Sequence, residues 1–123
     1  MLRSRHGSVL LKLVGKVARA RVEIEGFVRV TYAPFDVLVS LVDGQPYALE
    51  DACNHAGASL CEGIRSDDGA SVICPLHGYV FGLRTGKLEA PLGLCDDQRR
   101  FLALLEGDDI VIWDPMEIRV VGP

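Results

Sequence analysis

Two of the chain's three histidines stand within three residues of a cysteine: Cys53-Asn54-His55 and, 18 residues further on, Cys74-Pro75-Leu76-His77. Thiolate and imidazole are the ligands that iron and zinc prefer, and both pairs sit where strand-like sequence gives way to loop. A fold that uses them must carry two separate loops to one point, each presenting two side chains. The chain has four cysteines, Cys53, Cys61, Cys74 and Cys95. In a reducing cytoplasm these read as metal ligands or buried thiols rather than as a disulfide framework. That location is expected from the chain's start, where Arg3 and Arg5 lead into only a short apolar segment before Lys12 instead of a secretory signal. The uncharged stretch around residues 70–83 is interrupted by Pro75, His77, Gly78 and Gly82, too broken to span a bilayer.

The flanking sequence reads as β. Ala18, Ala20, Val22 and Ile24 alternate with Arg19, Arg21, Glu23 and Glu25, the pattern of a half-buried strand. After Gly26, strand signals resume over residues 27–32 and 35–42, end in the turn dipeptide Asp43-Gly44, and return as a hairpin into residues 46–50. Further candidates are residues 71–74, 79–83, 100–105, 109–113 and 117–121, and no stretch of helical period stands out. Many short strands with regular turns predict an all-β sandwich or small barrel. With 49% hydrophobic residues over 123 positions, one compact domain with a real core is expected across 1–123. The Gly-, Cys-, His- and Pro-rich segment of about residues 50–97 would form a loop-built site mounted on it.

Charge is unevenly distributed. Residues 1–22 hold six Lys/Arg and no acid, so the remaining 101 carry −10, with 7 basic against 17 acidic residues. The basic positions are spaced singly and without interleaved aromatics, which fits the solvated face of a strand better than a nucleic-acid surface. The acidic bulk suits docking on a basic protein partner.

Tetrahedral zinc would be satisfied by two Cys and two His, but zinc fingers usually draw two thiolates from one element and two imidazoles from another. Here each loop supplies one of each, an order that suits a two-iron cluster with both cysteines on one metal and both histidines on the other. Cys53-x-His55 and Cys74-Pro75-x-His77-Gly78, with His55-Ala56-Gly57-Ala58-Ser59-Leu60 and Tyr79-Val80-Phe81 followed by Thr85-Gly86, resemble the two boxes of the Rieske [2Fe–2S] family. The similarity runs roughly over residues 45–113. In two respects the chain departs from the family pattern: the spacing between boxes is slightly long, and Gly82 stands where an acidic or polar residue is common.

The resemblance implies an all-β Rieske-like fold of antiparallel sheets with one [2Fe–2S] cluster, bound by Cys53 and Cys74 as thiolates on the inner iron and by His55 and His77 as imidazoles on the outer iron. Bridging sulfides fill both tetrahedra, so such a site passes electrons and binds no substrate. Gly57 and Gly78 are expected at tight turns or close approaches of the backbone. Cys61 and Cys95, lacking a nearby histidine, read as buried thiols, His6 as part of a tail, and Tyr79, Phe81 and Trp113 as core packing. Leu76 occupies the place where respiratory members resemble one another in carrying a bridging cysteine. Only His6 remains for a mononuclear iron of the oxygenase large-subunit type, and no G-x-G-x-x-G run offers a nucleotide site. The expected role is therefore that of an electron-transfer component without catalysis of its own. It would be a ferredoxin between a flavoprotein reductase and a terminal oxygenase of the ring-hydroxylating type, with no nucleic-acid or membrane partner. A nitrite-reductase-like small subunit and a structural zinc module are the alternatives.

Overall fold

The computed structural model describes residues 2–4, 7–54 and 57–118. In chain order it forms β1 (Leu2–Ser4), β2 (Gly7–Ala18), a short helix α1 (Arg19–Glu25), β3 (Phe27–Val30), β4 (Val37–Val42), β5 (Gln45–Glu50) and a 3-10 turn (Leu60–Glu62). There follow β6 (Ile64–Arg65), β7 (Ser71–Ile73), β8 (Val80–Gly82), β9 (Leu88–Ala90), β10 (Arg100–Glu106) and β11 (Asp109–Ile118). The strands make two antiparallel sheets, one of seven in the order β1-β2-β11-β10-β5-β4-β3 and one of four in the order β6-β7-β8-β9. The all-β expectation holds.

β4 explains how the sheets meet. Its apolar run is covered on both faces: Leu38 and Val42 pack with Leu49, Leu60, Val72, Phe81 and Leu83, the core shared with the small sheet, while Val37 and Val39 pack with Val22, Val28, Phe101, Ile110 and Ile112. A strand buried on both faces reads as continuous hydrophobicity rather than alternation. The hairpin into β5 turns at Asp43 and Gly44, both with positive φ (51° and 77°), as the Asp-Gly dipeptide predicts for a tight two-residue connection.

The segment from Ala18 to Ile24 is not a strand. Ala18 ends β2, and the next seven residues, Arg19–Glu25, wind into α1, in which only Val22 reaches the core, at 1% exposure. Ile24, two positions on, is rotated by about 200° and stands 84% exposed. The alternating charges instead meet along the helix, Arg19 Nε with Glu23 Oε1 at 2.9 Å and Arg21 Nε with Glu25 Oε2 at 2.7 Å. Gly26, read as a break, caps the helix with φ 84° and donates its N–H to the Val22 carbonyl at 2.8 Å. The basic N-terminal residues are accordingly divided: Lys12 and Lys16 lie exposed on β2, whereas Arg19 and Arg21 belong to α1.

Residues 109–113 and 117–118 are parts of one strand, β11, and residues 119–121 of the second candidate lie outside the described residues, as does His6. Pro115 is tolerated within β11 because β10 pairs only as far as Trp113, so beyond that point the strand has one neighbour, β2, and needs fewer N–H donors. Of the aromatics expected in the core, Phe81 and Tyr79 are buried, but Trp113 is only half-buried. No helix among the described residues is long and apolar enough to cross a membrane.

Candidate metal centre

Each cysteine of the two Cys/His pairs opens a loop of the same length and closure. Residues 53–58 are flanked by the antiparallel bridge Ala52↔Ser59, and residues 74–79 by the pair Ile73↔Val80 that joins β7 to β8. In the first loop the Cys53 N–H donates to the Ala58 carbonyl at 2.8 Å and the Gly57 N–H to the Cys53 carbonyl at 2.6 Å. In the second, the Cys74 N–H donates to the Tyr79 carbonyl at 2.7 Å and the Gly78 N–H to the Cys74 carbonyl at 3.1 Å. The bonds match position for position, although the histidine is third in one loop and fourth in the other. Gly57 and Gly78 both sit in the left-handed region, at φ 73° and 71°. Among the described residues, chain neighbours aside, no atom lies within 4 Å of where a Cβ would be at either, so the turn rather than crowding selects glycine.

The cysteines lie at 1% exposure each, in the same core cluster as Leu60 and Phe81, while His77 is exposed. Cys53 and Cys74, each first in its loop, share one buried cluster, and His77 of the second loop is exposed. His55 and Ala56 lie outside the described residues. Two buried thiols from matched loops with an exposed imidazole form a donor set that fits a two-iron cluster with thiolates inside and imidazoles outside.

The base of the first loop is held by polar groups that the sequence reading did not single out. Asp51, 3% exposed, accepts the Ser59 hydroxyl on Oδ2 at 2.6 Å and the Cys61 N–H on Oδ1 at 2.9 Å. Arg29 Nη1 donates to Ser59 Oγ at 3.3 Å and its Nε lies 3.8 Å from Asp36 Oδ2. Asn54 Nδ2 donates to the Asp96 carbonyl at 2.7 Å, and Gln98 bonds to both the backbone and the side chain of Asn54. Asp51 is two residues from Cys53 and could have been suspected from that adjacency. Gln98 is 44 residues from Asn54, which it holds, and leaves no local signal.

Cys61 and Cys95 are half-buried, and neither is in a disulfide. Burial, reinforced by the Asp51 carboxylate, pushes the Cys61 thiol far above its ordinary range, so it stays protonated. Burial also raises the Cys95 thiol, helped by Asp96 and Asp97. The glycine at position 82, unusual for the pattern, has a local reason: a Cβ there would meet Thr85 Oγ1 at 2.7 Å and Glu89 Oε2 at 3.1 Å. The Glu89 carboxylate occupies that space and accepts the Ser71 hydroxyl.

Fold and site together define an all-β protein with two matched loops, each opened by a buried cysteine, the first following β5 of the large sheet and the second joining β7 to β8 of the small one. The Rieske [2Fe–2S] domain model matches residues 12–92, and the chain belongs to that family, whose domain carries one [2Fe–2S] cluster. The match starts in β2 and stops before β10, so it begins and ends earlier than the 45–113 span read from motifs and shares residues 45–92 with it; the early strands carry family pattern without carrying motif residues. The chain is 43% identical over 79 residues to the ferredoxin component of biphenyl 2,3-dioxygenase from Rhodococcus jostii (strain RHA1), covering 64% of this chain and 71% of that relative. Its fold is similar to the ferredoxin of carbazole 1,9a-dioxygenase from Nocardioides aromaticivorans IC177 (TM-score 0.72, 24% identity, 82% of this chain and 96% of that one). A chain in the complex of reduced oxygenase and oxidized ferredoxin in carbazole 1,9a-dioxygenase is also similar (TM-score 0.67, 28% identity, 85% and 91% coverage).

Proposed function

We propose that this chain is a one-electron carrier whose [2Fe–2S] cluster is bound by Cys53 and Cys74 as thiolates on one iron and by His55 and His77 as neutral imidazoles on the other. It takes electrons from a flavoprotein reductase and delivers them to a terminal oxygenase of the ring-hydroxylating type, in the cytoplasm, and catalyses no substrate chemistry itself. The observation that carries this reading is the pair of matched loops with both cysteines at 1% exposure and His77 at the surface. A relative named as a dioxygenase ferredoxin component supports the place in the electron chain. We assign the cluster-binding role to about residues 50–97 of a single domain.

A cluster bound this way supplies reversible one-electron transfer with no open coordination position. The protein's share is to fix the ligands and shield the thiolates. Leu60, Val72, Phe81 and Leu83 wall off the cysteine side from water, each at 0% exposure. On the outer side, exposed His77 and its neighbour Leu76, at 55%, form the face for close approach of a redox partner. Anaerobically purified protein should contain two iron atoms and two acid-labile sulfides per chain. Reduced, it should give an anisotropic electron paramagnetic resonance signal typical of mixed Cys/His ligation. Zinc in place of iron, with no such signal, overturns the assignment.

A further inference from the structure

The two loops close alike, yet they differ at the residue directly after the cysteine. In the second loop that residue is Pro75, which has no N–H to donate. In the first it is Asn54, whose backbone N–H donates to Gln98 Oε1 at 2.9 Å. Gln98 reaches this point from the segment two residues before β10 and is 4% exposed. Its Nε2 donates to the carbonyls of Glu50 at 2.8 Å and Ala52 at 2.9 Å, and its Oε1 accepts a second bond from Asn54 Nδ2 at 2.5 Å. Both amide hydrogens and both acceptor sites are thereby used. The Gln98 N–H, donating to the Gly86 carbonyl at 2.7 Å, ties the same residue to the turn after β8. A buried amide with every polar valence satisfied has one orientation, because turning it over would leave donors facing donors.

We infer that Gln98 is a positioning residue for the cluster: it withdraws the Asn54 N–H from donation to cluster sulfur, so that neither loop offers a donor at the position after its cysteine. At Pro75 the donor is missing by covalent chemistry; at Asn54 it is held by a buried acceptor. Hydrogen bonds to sulfur stabilise the reduced, more negative cluster and raise its potential, so a withheld N–H keeps the potential down. The inference rests on the ligand assignment proposed above.

The test uses cluster-loaded protein and reads the midpoint potential by voltammetry together with the g-values of the reduced state. Gln98→Met fills the same volume without polar atoms and frees the Asn54 N–H, so the midpoint should rise and the g-values move. Asn54→Ala removes only the side-chain bonds and should leave both at the wild-type values. Asn54→Pro copies the second loop and should also match wild type. The double variant Gln98→Met/Asn54→Pro should follow Asn54→Pro, since there is no N–H left to release. A wild-type midpoint in folded Gln98→Met overturns the inference, as does a shift that persists undiminished in the Asn54→Pro background. If Gln98→Met fails to hold a cluster, Asn54→Pro decides alone: a wild-type midpoint upholds the inference, and a moved midpoint or a lost cluster overturns it. Absence of a Rieske-type signal from the wild-type protein would instead defeat the ligand assignment, so the two failures are distinguishable.

Discussion

The guanidinium of Arg65 donates from Nη2 to the carbonyl of Gly26 at 3.0 Å, linking the small sheet to the end of the helix that covers the large one. Its Nη1 donates to the carbonyls of Leu41 at 3.2 Å and Gly69 at 2.8 Å, and the group lies 4.8 Å from the centre of the Phe27 ring. Partial burial lowers the affinity of Arg65 for its proton, yet a guanidinium remains charged across the working pH range. One planar fork thus ties β4, β6 and the helix cap across the joint between the sheets.

Replacing Arg65 by Ala should therefore cost about 2–3 kcal/mol, since hydrogen bonds from a charged donor are worth more than neutral ones and the carbonyls left behind are partly buried. Arg65→Lys should recover less than half of that, because one ammonium on a flexible stem cannot serve three carbonyls in a fan. Denaturant unfolding of the loaded protein, followed by circular dichroism, measures both. A loss below about 0.5 kcal/mol for Arg65→Ala, the usual range for surface substitutions, would show that the clamp carries little.

The four cysteines should separate cleanly by substitution. Cys53→Ser and Cys74→Ser should abolish or strongly alter the visible spectrum, as each removes a thiolate from the site at 1% exposure. Changing Cys61 and Cys95 together to Ala should leave that spectrum intact. Cys61 should also resist alkylation at neutral pH, because its thiol is held protonated by burial and by Asp51. Bleaching of a folded Cys61/Cys95 double variant, or rapid modification of Cys61, would contradict the assignment.

Legibility of the sequence varied with the range of the interaction. The two cysteine-led loops, the Asp43-Gly44 hairpin and the doubly buried run of β4 are local patterns, and each has its counterpart in the fold. Residues 18–25 misled because alternation of charge and small apolar residues satisfies a strand as well as a short helix, and only the packing of Val22 against β3 and β4 residues decides. The brief strands β6 and β9, of two and three residues, exist only through their neighbours β7 and β8. The cysteines that open the two loops stand out in the sequence, but the supports Asp51 and Gln98 do not: an Asp or Gln becomes a positioning group only when the tertiary fold buries it beside the right carbonyls and N–H groups.

The reduction potential should fall in the lower half of the Rieske range, which spans roughly −150 to +300 mV. High-potential members resemble one another in placing a hydroxyl two residues after the second histidine and a Tyr four residues after it; here those places hold Tyr79 and Phe81. Phe81, at 0% exposure in the core beside Cys53 and Cys74, has nothing to donate to sulfur. Voltammetry on adsorbed or freely diffusing protein gives the number. A midpoint in the upper half of that range would mean that other donors supply what Phe81 lacks.

Electron delivery should slow as salt rises. The chain carries −10 beyond residue 22, and two of those charges, the exposed Asp96 and Asp97, belong to the segment that Asn54 ties to the first loop. An acidic surface around the electron exit would steer the protein toward a basic partner patch, an effect screened beyond about 8 Å at physiological ionic strength. The same segment exposes Leu92 at 79% and Leu94 at 64%, and the second loop exposes Leu76 at 55%, so that once steered, the partners can meet over small apolar contacts suited to brief docking. With purified reductase and oxygenase, stopped-flow transfer rates should fall on the order of tenfold between about 50 mM and about 500 mM salt. Asp96→Lys should slow transfer at low salt and flatten that dependence, because the substitution reverses a charge while leaving the backbone carbonyl that Asn54 uses. Leu92→Ala should slow transfer at every salt concentration alike. Rates indifferent to salt and to Asp96→Lys would rule out electrostatic steering, and turnover equal with and without this protein would end its case as a carrier.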